Sequence, residues 1–151
     1  MVRVGVACRR GVALPPGPLV VCGVAGGLSA ELAPGAVLVP EEVVDADGWR
    51  GRCDPELVRG LASAARRLGL EPALGPILCV PFVISGAARA GWAARGHTAV
   101  EMESAALLRA APGRVAVVRV VLDTPDRGLV RSVPWALPYA ARAAAVVREY
   151  L

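Results

Sequence analysis

Short runs rich in valine, each cut off by glycine, proline or arginine, constrain this chain more than any other feature. Val2–Cys8, Leu19–Val24, Ile77–Ile84 and Arg114–Leu122 are apolar and largely β-branched. All are far below the ~18 consecutive apolar residues that span a bilayer. Helical patterning lies between several of them, and this alternation predicts an α/β domain with a largely buried sheet. Asp54-Pro55-Glu56 opens the clearest helix: Asp is the N-cap and Pro takes the first helical position. Leu57, Leu61, Ala64, Ala65 and Leu68 then share one face before Gly69 stops the helix. Ser85–Arg95 reads as a weaker helix with Gly91 inside it, and Glu103–Ala111 as another. Val133–Leu151 reads as a terminal helix with Pro134 in its first turns and a kink at Pro138. Ala36–Val39 and Glu42–Val44 read as an edge ribbon interrupted by Pro40, which cannot donate to a central ladder.

The chain has 151 residues, 55% of them hydrophobic, so one domain over residues 1–151 is expected, with enough apolar side chains for a core. A start of Met-Val-Arg-Val, unlike a signal peptide, predicts a cytoplasmic protein with no membrane insertion. The net charge is +4 and every one of the 17 basic residues is arginine, yet only Arg9-Arg10 and Arg66-Arg67 are adjacent. With aromatics at 4%, neither a phosphate-binding cluster nor a stacking platform forms, and nucleic acid is excluded as a partner. Cys8, Cys22, Cys53 and Cys79 show no Cys-x-x-Cys spacing, three of them lie in apolar runs, and His97 is the single histidine. Buried reduced thiols and no metal or other cofactor are expected.

Three segments place polar residues where an α/β sheet presents its ligands, at or beyond the carboxyl ends of strands. Cys22-Gly23-Val24-Ala25-Gly26-Gly27-Leu28 offers backbone that a ligand can approach closely; a plain tight turn is the alternative. In Val100-Glu101-Met102-Glu103-Ser104 two carboxylates flank a methionine at a strand-to-helix junction. If the backbone is extended there, Glu101 and Glu103 point the same way, so one serves the helix N-terminus and the other needs a partner; both simply favouring the helix is the alternative. Arg119-Val120-Val121-Leu122-Asp123-Thr124-Pro125 is a hydrophobic strand ending abruptly in an acid. A desolvated acid in that position is suited to donate a proton near neutral pH, and a turn-forming Asp before Thr-Pro is the alternative.

Taken in order, Gly23–Leu28 with its continuation Leu32–Val39, then Ala99–Ala106 and Val118–Asp123, resemble the purine nucleoside phosphorylase and nucleosidase superfamily. Within it they resemble particularly the methylthioadenosine/S-adenosylhomocysteine nucleosidases and the hopanoid-associated adenosyl phosphorylases. The resemblance implies a three-layer α/β fold with a central mixed sheet flanked by helices. It implies cleavage of the N-glycosidic bond of a purine nucleoside or adenosyl conjugate through a ribosyl-cation-like transition state. Glu103 would hold the ribose hydroxyls and Met102 would pack on the sugar, with Glu101, Ala25 and Gly26 beside them. Asp123 would protonate or hydrogen-bond the purine N7, and the backbone around Val83–Ser85 would line the base pocket. A homodimer or higher homo-oligomer is implied as well.

The sequence also departs from that family. It is shorter, and after Val2–Cys8, which resembles the first family strand, the expected helix and following strands are absent. Cys8-Arg9-Arg10-Gly11 stands where the hydrolases carry a water-activating glutamate, and Val21 and Val24 stand where phosphorylases hold phosphate. Arg9 and Arg10 offer charge and bidentate geometry for phosphate, with solvated surface arginines as the alternative. Phe82 or Trp92 would have to replace a missing aromatic stacked on the base, and each also reads as core. A non-catalytic member that binds a nucleoside or a protein is the competing reading.

Overall fold

The computed structural model describes residues 14, 16–29 and 31–151. Val2–Cys8, Arg9 and Arg10 lie outside the described residues. Valine-rich stretches do form the sheet: β1 is Leu19–Gly27, β2 Val37–Leu38, β3 Glu42–Asp45, β4 Arg50–Arg52, β5 Ile77–Cys79, β6 Ala99–Glu101 and β7 Val115–Asp123. The strand order is β2-β7-β1-β6-β5-β3-β4. β1 runs parallel to β7 and antiparallel to β6, so the sheet is mixed. Every residue of β7 is buried, as a strand covered on both faces must be.

The expected edge ribbon is corrected. β2 pairs with β7 whereas β3 pairs with both β4 and β5, so the two halves lie at opposite ends of the strand order. The path between them is bonded too: Val39 N–H donates to the Ala73 carbonyl at 2.9 Å, Ala73 N–H to Val37 at 2.9 Å, and Glu41 N–H to Leu74 at 3.0 Å. Pro40 falls between two donating residues, where its missing N–H breaks no bond. The sheet therefore curls until Val37–Asp45 joins β7 to the β5 side. β4 had no strand pattern; Asp45 makes it by turning the chain, its Oδ1 accepting from Asp47 and Trp49 N–H, both at 2.9 Å. Burial opposes ionisation of Asp45, but those bonds and the Arg109 guanidinium prevail and hold its carboxyl below the usual range.

Helices cover the curled sheet. α1 is Pro55–Arg67, and Asp54 caps it by accepting from Glu56 and Leu57 N–H, both at 3.0 Å. Its buried face is the expected one except that Leu68 lies past the last turn and is exposed. α2 (Ala87–Ala93) and α3 (Ser104–Ala110) are single short helices. α4 (Leu129–Ser132) and a 3₁₀ turn over Val133–Trp135 lead into α5, Ala136–Tyr150. The expected terminal helix thus starts later, and Pro138 sits in the first turn of α5, where an absent N–H leaves no gap. β5 stops at Cys79, five residues before the expected Ile84, because Pro81 ends the ladder. Leu61, Ala64, Ile77, Val117, Ala143 and Val146 are fully buried and make one core from α1, α5 and the sheet.

Two expected burials are also corrected. Cys22 is exposed: β1 is paired to β6 only at Gly26 and Gly27, so among the described residues Cys22 has a strand neighbour on the β7 side alone. Phe82 is exposed in the turn after Pro81, while Trp92 packs partly buried against Leu78, Val80 and Ile84. Cys53 and Cys79 are buried and reduced, burial pushing both thiols up to about 12.

Candidate active site

Parallel pairing brings the carboxyl ends of β1 and β7 together, with Gly26 in register with both Asp123 of β7 and Val100 of β6. The second and third polar segments therefore meet on either side of the glycine segment. Ala25 is buried and Gly26 half-buried between them.

An arginine organises the Glu101 side. Arg119 stands in the middle of the valine strand β7, 1% exposed. A guanidinium buried so deeply needs acceptors. Its Nη2 donates to Glu101 Oε2 at 2.5 Å, Glu103 Oε2 at 3.0 Å and Ser104 Oγ at 2.9 Å. To reach them from β7 it crosses β1 at Gly23, its register partner, and a β-carbon there would collide with the guanidinium. This is why the strand has a glycine. Nε of Arg119 has no partner within the described residues.

Glu101 and Glu103 divide the work as their spacing implied. Glu101 is buried and accepts from the N–H groups of Glu103 and Ser104 and from Ser104 Oγ, at 3.0 to 3.1 Å, thereby capping α3. Glu103 occupies the N-cap position and makes no capping bond of its own; its side chain is 20% exposed and turned to Arg119. One guanidinium faces two carboxylates, so this cluster carries a net negative charge beside an accessible carboxylate oxygen. Met102 is half-buried between them. The Glu101 charge adds to burial in raising Cys79.

Asp123, 3% exposed at the end of β7, is met by a second arginine. Arg89 Nη2 donates to its Oδ2. Of the expected base-pocket residues, Val83 and Ser85 are exposed, and Ile84 between them is buried with its carbonyl turned inward to Arg89. Arg119, Ser104 and Arg89 were missed as site residues by sequence reasoning. A lone arginine inside a valine strand was the available signal for Arg119; Arg89, in a weak alanine-rich helix, gave none.

A family model described as the Phosphorylase superfamily matches residues 6–151. No curated protein matches at the level of sequence. Among solved structures, futalosine hydrolase of Helicobacter pylori superposes with a TM-score of 0.78 at 18% identity, over 87% of this chain and 66% of its own. The S-adenosylhomocysteine nucleosidase of Streptococcus pyogenes, solved with 5-methylthiotubericidin, gives 0.78 at 22% identity over 88% and 66%. The methylthioadenosine/S-adenosylhomocysteine nucleosidase of Neisseria meningitidis, solved with methylthio-immucillin-A, gives 0.77 at 23% over 87% and 67%. These likenesses establish the fold, and the chain spans about two thirds of the length of each.

Proposed function

We infer that this chain, which belongs to the Phosphorylase superfamily, cleaves the N-glycosidic bond of a purine nucleoside or adenosyl conjugate. The observation that carries this reading is the presence of two differently built acids on the two flanks of β1: Glu103 after β6, reachable and held by Arg119, and Asp123, buried at the end of β7.

In this reading the ribose lies against Glu103 and Met102, and the carboxylate accepts the hydrogen bonds of the sugar hydroxyls. As the bond from C1′ to the base nitrogen breaks, its electron pair passes to the base and positive charge develops on the ribosyl ring. Two carboxylates against one guanidinium favour that charge. Asp123 gives a proton to N7, so the base leaves neutral. The oxygen of phosphate, or of a water that gives up a proton to solvent, then bonds to C1′. Arg9 and Arg10 are proposed as phosphate ligands, and weak phosphate binding indistinguishable between wild type and Arg10→Ala would remove them. Exposed Val130 on α4, Val133 in the 3₁₀ turn and Leu137 on α5 support self-association of a cytoplasmic protein.

The test is release of free base from adenosine, inosine, methylthioadenosine and S-adenosylhomocysteine, with and without phosphate. Release that requires phosphate means phosphorolysis; release without it means hydrolysis. Asp123→Asn is expected to abolish turnover and keep ribose binding, and loss of binding instead would make Asp123 structural. The hydrogen bond of Arg89 to Asp123 favours one competing reading, a member that binds a nucleoside without cleaving it. Nucleoside binding with no base released from any substrate would establish that.

A further inference from the structure

α2 is a helix of seven residues whose one buried side chain is a cation, Arg89. Its guanidinium spends its donors on three separate elements. Nε donates to the Ile84 carbonyl at 2.8 Å, Nη1 to the Gly27 carbonyl at 3.1 Å, and Nη2 to Asp123 Oδ2. Those acceptors are the end of β1, the turn before α2 and the end of β7. Glycine makes the room: a β-carbon on Gly26 would lie 3.0 Å from Asp123 Oδ1 and 3.2 Å from Arg89 Nη2.

The same room is needed by the base. A purine that takes a proton from Asp123 has to bring a ring nitrogen within hydrogen-bond reach of that carboxyl, next to the backbone of Val83–Ser85. Guanidinium and aminopurine are alike here: both are flat and carry N–H donors, and the three acceptors on offer are a carboxylate and two carbonyls. They cannot occupy the seat together.

We propose that Arg89 is an internal competitor for the base. Its guanidinium fills the base seat of the empty protein, and a nucleoside binds as the Arg89 side chain leaves it. The proposal rests on the nucleoside reading above. Holding the seat also weakens apparent affinity, by the fraction of molecules in which Arg89 is out.

Two measurements test this. Calorimetric titration with adenine is expected to give at least tenfold tighter binding by Arg89→Ala than by wild type, on the order of 1.4 kcal/mol per tenfold. Equal or weaker adenine binding by a folded Arg89→Ala would overturn the proposal. The second measurement uses wild type alone, in case the variant does not fold: modification of Arg89 by an arginine-selective dicarbonyl, mapped by mass spectrometry. Adenine is expected to expose Arg89 to the reagent, and adenine binding that leaves Arg89 protected would overturn the proposal while sparing the nucleoside reading. Failure of adenine and adenosine to bind either protein would overturn the nucleoside reading and the proposal with it.

Discussion

The start and the middle of β7 carry the same pairing chemistry under opposite conditions. Just before its amino end, Arg114 reaches Asp54 at 2.7 and 2.8 Å and Glu56 at 2.7 Å, with 46% of its side chain in water. In its middle, Arg119 reaches Glu101 and Glu103 with 2% of its side chain exposed. Water solvates the first group whether or not its partners are there, so that pairing only steadies the start of α1. The second has no such alternative and dictates its neighbours: a glycine beneath it, a hydroxyl beside it and two carboxylates ahead.

The sharpest way to break this contrast is Arg119→Met, which leaves two carboxylates facing each other without a cation. A loss of about 3–5 kcal/mol in urea unfolding is expected, as for other buried pairs robbed of one partner. A loss below about 1 kcal/mol, the range of exposed pairs, would erase the distinction. Next comes Gly23→Ala, which pushes a methyl into the Arg119 guanidinium and should cost about 1–3 kcal/mol. Its control is Gly91→Ala, inside α2 with open space at the β-carbon, which should gain about 0.5–1 kcal/mol. Equal signs in the two alanine variants would mean that the crossing at Gly23 imposes nothing.

The smallest effect belongs to the exposed end and depends on pH and salt. Hydrogen bonds from Arg114 hold the Asp54 carboxyl well below the usual carboxylate range. The folded value lies under the unfolded one, so this stabilisation is complete above the ordinary carboxylate range and is lost as pH falls toward the lowered value. Between about pH 6 and about pH 3, the melting temperature of wild type should drop more than that of Arg114→Ala, with the gap narrowed by high salt. Parallel curves would show that the exposed network adds nothing.

Much of this was legible in the residues, for reasons of range. β7, the Asp54 cap and the meeting of Glu101 with α3 depend on neighbours within a few positions. The Val37–Asp45 path was misread because its partners, Ala73–Leu74 and β7, are far away in sequence, and a ribbon bonded on both sides has no local signature that an edge lacks. Arg119 was visible as a polar residue in an apolar strand, but its acceptors come from another element, so its role was not. Arg89 is the extreme case: three acceptors from three elements, and nothing in Ala87–Ala93 to announce them.

The curl of the sheet has one more consequence. An open sheet can fray from its last strand, one ladder at a time. Here the path Val37–Glu41 is bonded to β7 on one side and to Ala73–Leu74 on the other, so releasing it means breaking two ladders at once. A ring held in this way opens as one cooperative unit.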